Sequence, residues 1–271
     1  MPLLSIITIS YNNVNGLEKT FQSIFNQTYQ DFEYIVIDGG SKDGSKEVIE
    51  KHSNKIAHWV SESDKGIYNA MNKGILSANG KYLLFINSGD ELYNNTILEV
   101  AVEYLHTYDI VTGNLNIISE KDNYIGKSVD KITFSKLFNG TIWHPCTFMR
   151  KDAFSRTQLY DEKLKIVADW KWFLLGIFKY NLSYRKIDLT ISKFYLDGIS
   201  NQKESHSLLM SERENVLKKN FGNHYDDYTE LTKLREYSNF NNYVIVKRSS
   251  SKLIGKAQTI LLTIAKKISN Y

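Results

Sequence analysis

Unbroken apolar runs separated by helical stretches dominate the first third of the chain. Residues 3–10 read LLSIITIS, rich in β-branched side chains and without alternation, which predicts a strand buried on both faces, as in a parallel sheet. The polar turn Tyr11-Asn12-Asn13 follows, after which Leu17, Phe21, Ile24 and Phe25 recur at helical spacing. Residues 32–37 (FEYIVI) predict a second buried strand that ends at Asp38-Gly39-Gly40. Val48 and Ile49 belong to a second helix, residues 56–60 to a short third strand, and residues 68–76 to a helix that stops near Gly80. Residues 82–86 (YLLFI) predict a fourth strand, running into Asn87-Ser88-Gly89-Asp90.

Strands alternating with helices over short links imply an α/β fold with a mostly parallel mixed sheet covered by helices on its faces. Right-handed crossovers then fix most of the topology, and ligands bind outside the carboxyl ends of the strands. Three polar clusters lie at those ends: Ser10-Tyr11-Asn12, Asp38-Gly39-Gly40 and Asn87-Ser88-Gly89-Asp90. They are expected to converge in space. From about residue 110 the pattern loosens. Residues 109–118 read as a strand pair, 159–178 contain a helix with Trp170, Trp172 and Phe173, and 187–195 read as another strand. From Ser205 the chain is helical and polar. No internal repeat is visible.

Composition narrows this picture. A chain of 271 residues with 42% hydrophobic residues suits one large α/β domain, alone or with an appendage. The single cysteine, Cys146, excludes a disulfide framework within the chain and a multi-cysteine zinc site, and favours a reducing compartment. The N-terminus lacks the pattern of a signal peptide, and no run approaches the roughly 18 apolar residues of a membrane span. The expectation is a cytoplasmic protein, soluble or peripheral on the inner face of the membrane. The net charge of +4 is too mild, and too free of basic-aromatic stripes, for a nucleic-acid binder. Charge is concentrated at the C-terminus. There Leu253, Ala257, Ile260, Leu261, Ile264 and Ile268 recur at helical spacing, with Lys252, Lys256, Lys266 and Lys267 on the other side. Such a basic amphipathic helix over 252–271 suits an anionic membrane surface, or docking on the rest of the chain with a solvated lysine face.

The strand-end acids carry the candidate chemistry. Asp38 can accept hydrogen bonds from a base or ribose, or simply form the turn before two glycines. Asp90 can hold Mg2+ or Mn2+, which take one or two carboxylates plus substrate phosphates, or cap the segment that follows. No G-x-G-x-x-G follows the first strand. The nearest approach to a phosphate-binding loop, residues 74–81 (GILSANGK), has the wrong spacing and is followed by Tyr82.

SIITISYNN, YIVIDGGSKDGS, SESDKGIYNAMNKGI and GKYLLFINSGDE, in this order and spacing, resemble glycosyltransferase family 2, near the branch that builds bacterial surface polysaccharides. The resemblance covers residues 3 to about 92 and continues more weakly to about 200. It implies a GT-A fold, a nucleotide-diphosphate sugar donor (UDP-sugar favoured) and a divalent metal. Ser10 and Tyr11 would pack on base and ribose, and Asp38 would hydrogen-bond the base. Asp64, Lys65 and Gly66, with Asn69 and Lys73, would line the nucleotide-sugar pocket. The family's D-x-D motif falls on Asn87, Ser88, Gly89 and Asp90, where only Asp90 keeps its carboxylate as metal ligand.

The resemblance further implies that Asp169, in Val167-Ala168-Asp169-Trp170, is the general base of an inverting transfer. Trp143 and His144 would lie on the acceptor side, and Gly198-Ile199-Ser200 would belong to a loop over the diphosphate. His206 fits either a phosphate or metal contact or an exposed helix position. The implied organisation is a catalytic domain over 1–204, with a nucleotide-sugar half (1–110) and an acceptor half (111–204), followed by a helical extension over 205–271. The implied acceptor is a hydroxyl of a lipid-linked or saccharide substrate. Two alternatives remain beside this reading. One is a nucleotidyltransferase of related fold, which would need a Gly-rich basic loop where Tyr11-Asn12-Asn13-Val14-Asn15 stands. The other is a non-catalytic nucleotide-sugar-binding protein.

Overall fold

The first strand sets the frame. All seven residues of β1 (Leu4–Ser10) are buried, because helices cover both faces of the sheet at this point. The structure, a computed structural model, describes residues 1–196 and 205–248. After β1 come α1 (Val14–Phe25), β2 (Phe32–Asp38), α2 (Ser45–Lys51), β3 (His58–Ser61), α3 (Ile67–Ser77) and β4 (Tyr82–Phe85). Then follow β5 (Glu91–Leu92), α4 (Ile97–Ala101), β6 (Ile110–Ile118), β7 (Asn123–Gly126), α5 (Phe134–Asn139), β8 (Thr147–Arg150) and α6 (Lys151–Arg156). The described chain ends with α7 (Ala168–Phe178), β9 (Tyr184–Tyr195) and α8 (Ser205–Arg248).

The strands form one sheet in the order β3-β2-β1-β4-β8-β6-β9-β5, with β7 paired to β6. β3, β2, β1 and β4 are mutually parallel, as the crossover pattern predicts. β8 then enters antiparallel between β4 and β6, β6 runs parallel to β9, and β5 and β7 add antiparallel edges. Residues 109–118, expected as a strand pair, instead form the single strand β6. Gly113 is absorbed by an irregularity in the β6–β9 register. A Cβ at Gly113 would stand 2.4 Å from Ile191 Cγ1, so the bulge depends on glycine.

Alternate residues of the parallel strands serve two cores. Leu4, Ile6, Tyr34, Val36, Tyr82 and Leu84 join Leu17, Phe21 and Ile24 of α1. On the other face α3 packs against β1 and β2. The approach there is close: a Cβ on Gly74 would fall 2.5 Å from Ile7 Cγ2.

Residues 1–216 form one compact unit, and the chain from Leu217 forms another. α8 carries a non-helical break at Phe221 (φ −139°, ψ 33°). Among the described residues no helix is long and apolar enough to cross a membrane. Gly198-Ile199-Ser200 and the basic stretch 252–271 lie outside the described residues.

Candidate active site

Strand register assembles the first part of the site. Ser10 pairs with Asp38, and Asp38 with Ser61, so three polar side chains stand in a row at the carboxyl edge of β1, β2 and β3. Asp38 is buried, and its carboxylate accepts from Ser61 Oγ (2.6 Å), Ser41 N (3.0 Å) and Gly40 N (3.2 Å), and from the Ser41 hydroxyl. It therefore anchors the 39–41 turn. Three of these bonds fall on Oδ2, and the Ser41 hydroxyl alone falls on Oδ1.

The other turns are stitched to this one by side chains, among which sequence reasoning had not singled out Thr20, Ser41 and Asp43. Asn12, at φ 47°, takes Ser41 Oγ through its N–H (2.8 Å) and offers Oδ1 to Lys42 N (2.9 Å). Asp43 Oδ2 accepts from Val14 N at 2.8 Å. Asn13 caps α1 through Gly16 N (3.1 Å) and donates to the Ser88 carbonyl (3.0 Å), while Ser88 Oγ donates to the Asn13 carbonyl (3.0 Å). Thr20 Oγ1 reaches the Asp90 carbonyl at 2.7 Å and accepts from Gly89 N at 3.1 Å, where Gly89 has φ +105°. The three clusters thus converge as expected.

Tyr11 is 67% exposed at the mouth of this edge. Gly39 lets it come close: a Cβ there would meet the Tyr11 ring at 3.1 Å and Asp64 Oδ2 at 3.3 Å. Asp64 in turn holds Lys73 Nζ at 2.5 Å, and Glu62 holds the same ammonium at 2.6 Å. Burial disfavours the Lys73 charge, but the hydrogen bonds and charges of Asp64 and Glu62 outweigh it and hold Lys73 above the usual lysine range. Gly66 starts α3 at φ +121°, ψ 173°, a conformation essentially reserved for glycine.

Two buried polar atoms at this edge, Ser10 Oγ and Asn87 Oδ1, have no hydrogen-bond partner among the described residues. Asp90 is buried beside them in sequence. Among the described residues no group of three or more His, Cys, Asp or Glu side chains is assembled to hold a metal. A divalent cation here would have one carboxylate, Asp90, and the neutral oxygen of Asn87 for ligands. That set fits Mg2+ or Mn2+ when a diphosphate supplies further oxygens.

The second part of the site comes from α3 and the segment before α7. Tyr68, Asn69 and Asn72 of α3 bond to that segment, and Asn69 also to the loop after β3. Asn69, expected in the nucleotide pocket, accepts from Lys65 N (3.2 Å) and donates to Glu162 Oε2 (3.0 Å). Asn72 binds Glu162 Oε1 (2.8 Å) and both backbone groups of Tyr160. Tyr68 Oη lies 2.6 Å from the Ile166 carbonyl and 2.9 Å from Asp169 Oδ1. Asp169 stands in the first turn of α7, where a helix favours negative charge. The buried Glu212 of α8 accepts from Lys165 N (2.7 Å) and Ile166 N (3.0 Å), clamping the same segment from its other side.

His144 is a core residue. Its ring packs on Phe85 at 4.7 Å between centroids and its Nε2 meets Tyr160 Oη at 2.8 Å. Burial lowers its pKa while the Asp169 charge opposes this, so the ring is neutral near pH 7. Trp143 packs against Gly126 of β7, where a Cβ would clash at 2.7 Å. Arg213 lies over the Trp170 ring (4.8 Å) and donates to the Gly140 carbonyl (3.1 Å); burial lowers its pKa against the pull of Asp169. His206 is exposed on α8.

Residues 5–163 match the family model described as glycosyl transferase family 2. An uncharacterised glycosyltransferase of Mycobacterium tuberculosis is 42% identical over 178 residues, covering 64% of this chain and 68% of the relative. A PGL/p-HBAD biosynthesis glycosyltransferase of Mycobacterium bovis is 29% identical over 176 residues, covering 62% of this chain and 67% of that one. Among solved structures, S. aureus TarS in complex with UDP-GlcNAc superposes with a TM-score of 0.62 at 16% identity, over 82% of this chain and 72% of that one. The chain spans 43% of a longer TarS structure. A mannosyltransferase from Pyrobaculum calidifontis in complex with GDP-Man and Mn2+ gives 0.61 at 16% identity, over 100% of this chain and 81% of the other. These likenesses establish the GT-A fold.

Proposed function

The chain belongs to glycosyl transferase family 2, and from that premise we propose that it transfers a sugar, with inversion, from a nucleotide-diphosphate sugar to an acceptor hydroxyl. The observation that carries this reading is the convergence of the Ser10–Asn13, Asp38–Asp43 and Asn87–Asp90 turns at one carboxyl edge. The nucleotide would lie there, with Tyr11 beside the base and the Asp64–Lys73 pair lining the pocket. The partnerless oxygens of Ser10 and Asn87 await polar groups of a ligand. UDP is the favoured nucleotide, and relatives of this fold are seen with UDP-GlcNAc and with GDP-Man.

Asp90 and the donor's diphosphate would hold Mg2+ or Mn2+, which supplies Lewis-acid stabilisation of the charge on the leaving diphosphate. Asp169 acts as base. Its carboxylate takes the proton of the acceptor hydroxyl as that oxygen attacks the anomeric carbon, and the bond from that carbon to the diphosphate oxygen breaks on the opposite side. One displacement inverts the configuration. The acceptor is read as a lipid-linked or saccharide hydroxyl of cell-envelope polysaccharide synthesis; the M. bovis relative's name, with its PGL/p-HBAD product, agrees with an envelope role. A basic stretch at 252–271 would bring the enzyme to an anionic membrane from the cytoplasmic side.

Thermal melting against UDP-glucose, UDP-GlcNAc and GDP-mannose, each with and without Mn2+, tests the donor reading. A donor present at about 100 times its Kd raises stability by roughly 2.7 kcal/mol. A melting temperature unmoved by every nucleotide-sugar, while the protein is folded, contradicts it.

A further inference from the structure

Tyr68 sits where the donor-side helix meets the base. Its hydroxyl has one hydrogen and two acceptors in reach, the Ile166 carbonyl and Asp169 Oδ1, at 2.6 and 2.9 Å. The side chain is buried, and burial followed by the nearby Asp169 charge pushes its pKa far above the usual tyrosine value. It is therefore a phenol, and a hydrogen-bond donor, throughout the working pH range. Its anchorage is firm on both sides. Asn72, one helical turn further along α3, binds the Tyr160 backbone, and Glu212 holds Lys165 and Ile166 by their N–H groups. These bonds hold the backbone that presents the Ile166 carbonyl and the part of α3 that carries Tyr68.

We propose that Tyr68 is the positioning residue of the base: its hydroxyl fixes Oδ1 of Asp169, so that Oδ2 is the oxygen that takes the acceptor's proton. This rests on the reading of Asp169 as base. The physical reason is that a carboxylate at a helix start rotates about its side-chain bonds unless one oxygen is held, and a base within reach must also be aimed. The Tyr68 hydroxyl bonds to Ile166 and Asp169, and its ring packs by Tyr160, all on the side of the base, so its effect belongs to turnover rather than donor affinity.

The test is Tyr68→Phe in the full chain. The readout is nucleoside-diphosphate release from UDP-glucose, UDP-GlcNAc or GDP-mannose with Mn2+ and water as acceptor, with kcat and KM followed separately. A hydrogen bond to a charged group predicts that kcat falls about 10- to 100-fold, with KM for the nucleotide-sugar unchanged. A wild-type kcat, or a loss carried by KM alone, overturns it. Circular dichroism and melting of Tyr68→Phe show that the fold is retained. If Asp169→Asn releases nucleoside diphosphate as fast as wild type, it is the base assignment that fails, whatever Tyr68 does.

Discussion

The carboxyl edge of β1, β2 and β4 and the segment that carries Asp169 are built in different ways. At the edge, short polar side chains close turns directly after buried strands, and neighbouring turns bond to one another: Asn12 to Ser41, Asp43 to Val14, Asn13 to Ser88. Each turn sits where strand register puts it. The base segment does not follow a strand; it comes after α6. Residues 160–169 are held in place by side chains from elsewhere, Tyr68, Asn69 and Asn72 of α3 on one side and Glu212 of α8 on the other. A site made in two such parts can lose one function and keep the other, and that separability is open to experiment.

The largest effect on the edge alone is expected from Asp90→Ala. Mn2+-dependent affinity for the nucleotide-sugar should fall by tenfold or more, about 1.4 kcal/mol, while affinity measured without Mn2+ changes less; calorimetric titration with and without Mn2+ measures both. Equal affinity in wild type and variant would remove Asp90 from the metal site.

Glu212→Gln probes the other part. One carboxylate oxygen that accepts a backbone N–H becomes an amide that cannot, leaving Lys165 or Ile166 unpaired at a cost of roughly 1–3 kcal/mol. Melting should drop and turnover should fall, while nucleotide-sugar affinity stays at the wild-type value. A loss of donor affinity as large as the loss of turnover would show that the two parts are one.

Lys73→Met tests the link between the Asp64 pocket wall and stability. Lys73 is held above its ordinary value in the fold, so its contribution is fully present below the unfolded lysine value and fades as pH rises through the folded one. The variant should therefore melt below wild type at neutral pH, with the gap closing only in strong alkali. A gap that widens on raising the pH would contradict the pairing with Asp64 and Glu62.

The smallest effect is expected at Cys146. Burial, only partly offset by nearby hydrogen bonds, pushes its thiol up to about 12, so native protein should resist thiol reagents at pH 8 and react fully after denaturation. Rapid labelling of folded protein would mean that the core beneath β8 opens.

The same contrast explains what the sequence revealed. A parallel strand covered on both faces reads as an unbroken apolar run, so β1, β2 and β4 and the turns after them were legible, as was their convergence. β8 was not: its four residues, Thr147–Arg150, are too short and mixed to stand out, and their partners β4 and β6 lie far away in sequence. Tyr68 and Asp169 are 101 positions apart, and Glu212 is 46 and 47 positions from the backbone groups it holds. No local period reports such pairs. Asn69 and Asn72 carried a readable signal, two amides on a helix otherwise apolar on its buried side. Their partner Glu162 became visible only in the fold. His144, expected toward the acceptor, belongs to the aromatic core around Phe85 and Tyr160, a distinction that burial alone decides.

The central claim is that an edge for the nucleotide-sugar and a separately held base meet in one enzyme. Asp169→Asn measures it most directly, with donor affinity and sugar transfer followed in the same preparation. The account predicts wild-type affinity for the nucleotide-sugar and a loss of transfer of about 100- to 10,000-fold, the range of general-base catalysis. Transfer at the wild-type rate would contradict it.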